Sequence, residues 1–155
     1  MTVYLAIDPG GTCGMAVTQP FPGFGFDPGA VVTYQMSDTA CVDWCRQYVT
    51  SDWVVFMERF FITVNTAQLS PEGSHKTLDV IGTVKNLCRW AGAGFVFQTK
   101  NDAAKLVTDA QLRSLGLWRP SQDHARDAVR HLVYGLVHHA AGPACEDLKK
   151  KLAGT

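Results

Sequence analysis

No stretch of this chain approaches the roughly 20 apolar residues needed to cross a bilayer. Its first residues lack a basic segment followed by an apolar one. Neither a membrane span nor a secretory leader is therefore expected. Cysteine is sparse: Cys13, Cys41, Cys45, Cys88 and Cys145 are scattered, odd in number, and form no C-x-x-C pair. That excludes a disulfide framework or a zinc site as the expected design and suits reduced thiols in a cytoplasm. Neither G-x-x-x-x-G-K-[ST] nor G-x-G-x-x-G is present, so Gly10, Gly11 and Gly14 match no phosphate-cradling fingerprint. No Cys/His arrangement suggests a thiol nucleophile, and Cys13 stands near Asp8, where a thiolate is disfavoured. Repeats and low-complexity segments are absent too.

Net charge is the last thing missing, since 14 Lys and Arg balance 14 Asp and Glu. Their distribution is uneven. Up to Glu58 there are six acids and one base, Arg46; from Arg59 onward there are 13 bases against eight acids. A basic face for a polyanion fits this asymmetry, as does a solvated helical face. With 155 residues, 46% of them hydrophobic, the chain can bury one sizeable core.

The stretch around which the chain is organised is Val3 to Val17, V-Y-L-A-I-D-P-G-G-T-C-G-M-A-V. It predicts a buried strand, a turn on Pro9, Gly10 and Gly11, and a returning strand after Gly14. Gln19 to Gly29 predicts a loop and Ala30 to Gln35 a third strand. Ser37 is a candidate N-cap for a helix to about Thr50. Asp52 to Met57 predicts a fourth strand ending at Glu58, and Phe60 to Gly73 a long loop. Ser74 would cap a helix to about Ala91. Its apolar residues spread over much of its girth, as in a helix that is central or shared with a partner. Gly94 to Gln98 predicts a fifth strand. Short helices follow from about Asn101 and from Thr108, where Thr108 and Gln111 form a capping box. The last helix spans about Ser121 to Ala140. This order predicts an α/β domain over residues 1–142, built on a mixed five-stranded sheet flanked by helices. Residues 143–155 are expected to be a basic, flexible tail.

Asp8 is the oddity, because a carboxylate at the end of a buried strand is costly unless paired, hydrogen-bonded or bound to a metal. Glu58 ends another strand. On the last helix, D-H-A-R-D (Asp123 to Asp127) lets Asp127 share a face with either His124 or Asp123. Oxygen ligands from three elements suit hard divalent ions. Two such ions about 3.5–4 Å apart can clamp the attacking and leaving oxygens of a phosphodiester. Each residue also has a plain structural use. Asp8 can hold the Gly-rich turn, Glu58 can pair with Arg59 or Lys76, and Asp123 can serve the helix dipole. Phe60 and Phe61 open the loop after Glu58; one suits the core, the other could stack on a base.

Four blocks, A-I-D-P-G-G-T-C-G-M-A, V-V-F-M-E-R-F-F, L-D-V-I-G-T-V-K and D-H-A-R-D-A-V-R-H-L, give the chain its resemblance. From Val3 to Ala140 it resembles the RuvC family of Holliday-junction resolvases, in particular the shorter RuvC-like endonucleases of bacteriophages. The resemblance implies a ribonuclease H-like fold. It also implies a homodimer formed through the helix Ser74 to Ala91, and an endonuclease dependent on two Mg²⁺ or Mn²⁺ ions that nicks branched DNA. Asp8, Glu58, His124 and Asp127 fall on the family's metal-binding positions. Asp123 lies one residue out of register, as a spare acid behind them. Phe61, and less well Phe60, matches the aromatic beside the junction centre. Arg59, Lys76, Lys100, Lys105, Arg126 and Arg130 are the candidate DNA-phosphate contacts. The chain departs from the family in a shorter turn after Asp8, a longer loop from Ile62 to Gly73, and its neutral charge. Two other classes keep part of the pattern: a junction binder without catalysis, and a nucleotide-binding module of the actin-like and sugar-kinase type. The latter needs two such domains.

Overall fold

The computed structural model describes residues 2–19, 25–61 and 71–154. The leading apolar run is β1 (Val3–Asp8), and the Pro-Gly-Gly turn returns it as antiparallel β2 (Thr12–Thr18). A short 3-10 turn at Pro28–Ala30 leads into β3 (Val31–Ser37), antiparallel to β2. Ser37 caps α1 (Asp38–Tyr48) through its side chain, as expected. β4 (Trp53–Glu58) pairs parallel with β1, and β5 (Gly94–Gln98) parallel with β4. The sheet order is therefore β3-β2-β1-β4-β5. Between β4 and β5 lies α2 (Pro71–Ala91). The rest is helical: α3 (Lys100–Leu106), α4 (Asp109–Ser114), α5 (Asp123–His139) and α6 (Pro143–Ala153). The Thr108–Gln111 capping box opens α4. Among the described residues, no helix is long and apolar enough to cross a membrane.

Side chains alternate across the sheet and fill two cores. Leu5, Ile7, Met15, Val55 and Met57 pack on one face with Cys41 and Cys45 of α1 and Val80 and Val84 of α2. Ala6, Ala16 and Phe56 pack on the other with Ala128, Val129, Leu132 and Leu136 of α5. Alternation then decides where the acids point. Asp8 shares the face of Ala6, and Glu58 that of Phe56, so both look toward α5.

Helix α5 lies directly on the sheet because a glycine stands at each closest contact, Gly14 on β2 and Gly135 on the helix itself above Phe56. A Cβ on Gly14 would stand 1.9 Å from the backbone oxygen of His124, and one on Gly135 would stand 2.3 Å from the Phe56 ring. Close approach of the helix start to β2 is what Gly14 provides. Gly14→Ala is expected to cost about 2 kcal/mol, because the backbone it meets must shift. Urea denaturation of the pair of proteins measures this.

Two expectations need correction. The C-terminal segment is no flexible tail: Ala144, Cys145, Leu148 and Leu152 of α6 are buried in the core beside α5. Asp147 accepts from the Phe26 amide at 2.8 Å, and Lys151 donates to the Phe26 carbonyl at 3.0 Å. Spacing of three and four residues places Cys145, Leu148 and Leu152 on one stripe, which the run Lys149 to Lys151 conceals. Each buried leucine contributes about 2 kcal/mol. The second correction concerns α2, which begins at Pro71 rather than after Ser74. A proline suits the first helical turn, where no partner awaits its missing N–H. Of the expected long loop, residues 62–70 lie outside the described residues.

Candidate active site

Parallel pairing sends the C-terminal ends of β1, β4 and β5 to one edge of the sheet, where open α/β sheets place their ligands. These ends carry Asp8, Glu58 and Gln98. In α5, His124, Asp127 and His131 are spaced i, i+3 and i+7 and form one stripe. The stripe meets the sheet edge residue by residue. His124 Nδ1 lies 2.9 Å from Asp8 Oδ2, and His131 Nε2 lies 3.0 Å from Glu58 Oε2. Gln98 Oε1 stands 2.9 Å from His131 Nδ1. Asp127 lies between the two histidines on the stripe and accepts from Lys100 Nζ at 2.8 Å, with Arg130 on its other oxygen.

The electrostatics tie these groups together. Asp8 is only 6% exposed. Burial first, and the charge of Glu58 second, push its carboxyl up to about 6, against the hydrogen bond and charge of His124 and the charge of Lys100. Burial also works against the Asp127 carboxylate, but Lys100 and Arg130 outweigh it and hold its pKa below the usual value. Lys100 is raised, chiefly by its hydrogen bond to Asp127, and it also feels Glu58 and Asp8. Lys100→Met is expected to raise the pKa of Asp127, which a carboxyl ¹³C titration reads; an unmoved pKa would mean that the ion pair does not form in solution.

The remaining candidates separate by position. Asp123 turns to Arg126 and is exposed, away from the acids. Arg130 is engaged by Asp127, Asp109 and the Val107 carbonyl, which leaves it little freedom for a phosphate. Arg126 lies over the Trp118 ring at 4.6 Å, with Arg113 at 3.7 Å. Lys76 pairs with Glu72 on α2, and Lys105 borders an open depression with Thr108, Gln111 and Ser114. Phe60 packs into the core, whereas Phe61 is 61% exposed, with the Arg59 guanidinium 5.9 Å from its centroid. Cysteine takes no part: all five are buried, and Cys13, hydrogen-bonded to Cys41 and desolvated, has its thiol pushed far up.

The chain's architecture has known counterparts. Thermus thermophilus RuvC, solved with a Holliday junction substrate, superposes with a TM-score of 0.59 at 14% identity, over 92% of this chain and 99% of that one. A second T. thermophilus RuvC structure gives 0.58 at 17% identity, over 86% and 92%. The fold is ribonuclease H-like, as in RuvC. No family model and no curated protein sequence matches the chain.

Sequence reasoning overlooked His131 and Gln98 and gave Lys100 only a role toward DNA. The signal for His131 was available: it follows Asp127 by four residues, so it shares the stripe of the acid helix. Its partners Glu58 and Gln98 lie far away in the chain, so nothing local names them.

Whether divalent cations suit this edge can be asked of the side chains themselves. Among the described residues, no three His, Cys, Asp or Glu groups converge closely enough to hold an ion as they stand. The donor set nevertheless fits one. Asp8, Glu58 and Asp127 offer hard oxygens; Asp8 is raised by burial first and by the Glu58 charge second, and a bound cation would offset both.

Proposed function

We propose that the chain is a structure-selective endonuclease that hydrolyses phosphodiesters in branched DNA, four-way junctions first among its substrates. The observation that carries this reading is the placement of Asp8 and Glu58 at the ends of adjacent parallel strands, just past the last register pair, Ile7 with Met57. There the Glu58 charge adds to the burial that raises the Asp8 pKa. RuvC-like architecture over nearly the whole chain supports it. Asp8, Glu58, Asp127 and His124 would hold Mg²⁺ or Mn²⁺, two ions per site. When bound, such a pair activates the attacking water and stabilises the leaving 3′ oxygen. The products are then a 5′-phosphate and a 3′-hydroxyl.

The chain's own residues do the rest. His124 orients the Asp8 carboxylate, and Lys100 balances the acid edge until a cation takes over that charge. Phe61, held out from β4 beneath Arg59, is placed to stack on an unpaired base next to the cut. Of the candidates, Lys105 and Arg59 are the basic residues left to meet phosphates, since Arg126 is held by Asp123, the Arg119 carbonyl and the Trp118 ring. Affinity then falls steeply with salt. Leu78 and Trp90, exposed on α2, support a homodimer through the span Ser74 to Ala91.

A second reading is a junction binder without catalysis. It is favoured by the engagement of every acid with His124, His131, Lys100 or Arg130. One panel separates the two: four-way, three-way, flap and linear DNA incubated with Mg²⁺ or Mn²⁺, beside Asp8→Asn. Nicks in branched DNA alone, absent from the variant, are expected. Binding of junctions with no cut at any metal concentration would establish the second reading.

A further inference from the structure

His131 is the least exposed polar residue of the acid edge, at 1%. It joins three elements: α5, which carries it, β4 through Glu58, and β5 through Gln98. Glu58 and Gln98 are themselves register partners, with the Arg59 amide donating to the Gln98 carbonyl at 2.7 Å. A buried imidazole with a partner on each nitrogen has no rotational freedom, and neither has the carboxylate oxygen it touches.

The direction of its hydrogen bonds follows from donor arithmetic. As placed, Gln98 presents Oε1 to the ring, while its buried Nε2 has no hydrogen-bond partner among the described residues. If Oε1 accepts from Nδ1, a neutral ring meets Glu58 with a bare Nε2, acceptor against acceptor. A half-turn of the amide, indistinguishable in shape, removes both faults. Gln98 Nε2 then donates to Nδ1, and His131 Nε2–H donates to Glu58 Oε2. An under-satisfied carbonyl oxygen remains, which folded proteins tolerate better than a stranded N–H.

We propose that His131 is a positioning residue: a Gln98→His131→Glu58 relay locks one oxygen of Glu58 and leaves its other oxygen free for a divalent cation beside Asp8. The cation half of this rests on the nuclease reading. The hydrogen-bond direction does not.

Two measurements on the full chain test it. A long-range ¹H–¹⁵N spectrum of the parent, with the His131 ring assigned by its loss in His131→Gln, reads the tautomer directly. The Nε2–H form is expected; an Nδ1–H or doubly protonated ring would overturn the relay. Calorimetry with Mn²⁺ alone then compares variants. His131→Leu is expected to weaken binding by about 10–100-fold, the usual cost of losing a residue that orients a ligand. His131→Gln, whose amide reaches the place of Nε2, should recover most of that loss. Parental affinity in His131→Leu, or no recovery in His131→Gln, would overturn the positioning role. A parent that binds no Mn²⁺ would defeat the nuclease reading and leave the tautomer to decide the relay.

Discussion

Asp8→Asn is expected to slow four-way junction cleavage in Mg²⁺ by about a thousand-fold or more, while junction binding stays near parental. The size follows from what the side chain is asked to do. Asp8 ends the central strand and is the most deeply placed of the acids, with Glu58 on one side and His124 on the other. Losing a charge that, on the proposed reading, two cations would share forfeits several kcal/mol of transition-state stabilisation, and about 4 kcal/mol is a factor of roughly 10³. Asparagine keeps the shape and a hydrogen bond to His124, so the fold and the DNA surface remain. Glu58→Gln should follow the same pattern. His124→Ala should lose less, since an exposed imidazole that orients one carboxylate is more easily replaced by water. Full nicking by Asp8→Asn in Mg²⁺ would reject the assignment of the acid edge.

The parts of the fold that could be read from the chain are those with a strong local period. Strands β1, β4 and β5 are short apolar runs closed by a polar residue, and Ser37 and Thr108 carry cap chemistry that survives in the structure. Helix α6 was hidden because three consecutive lysines dominate its composition while its burial depends on only a few side chains, Leu148 and Leu152 foremost. At the site, Asp8 and Glu58 stood out because an acid ending an apolar strand needs an explanation. Gln98, and which partners His131 takes, were illegible for the opposite reason. Their chemistry is ordinary until topology places the end of β5 next to that of β4, and no spacing along the chain reports that adjacency. The same holds for Lys100, whose partner Asp127 is 27 residues away.

The cost of holding the acid edge together should be visible in stability. Asp8 has a folded pKa of about 6 against 3.8 for its ordinary value, because burial and Glu58 disfavour its charge. For an acid raised in this way, the folded state binds the proton more tightly than the unfolded chain does. Its contribution to stability is therefore complete below about pH 4 and is lost as pH rises through 6. The difference corresponds to roughly 3 kcal/mol at pH 7. Asp8→Asn removes the charge and should make the metal-free protein more stable than the parent by about that amount at pH 7, with the gain vanishing near pH 4. Urea midpoints of both proteins in EDTA, at the two pH values, read the effect of the Asp8 charge together with its influence on Glu58 and His124, while titrating groups far from the edge are common to both. Mg²⁺ should then stabilise the parent more than the variant, since a cation bound only by the folded state adds to stability by mass action. A variant less stable than the parent at pH 7, or a gain unchanged at pH 4, would mean that Asp8 is satisfied by His124 and Lys100 alone. The edge would then be a finished ion-pair network rather than a site waiting for a cation.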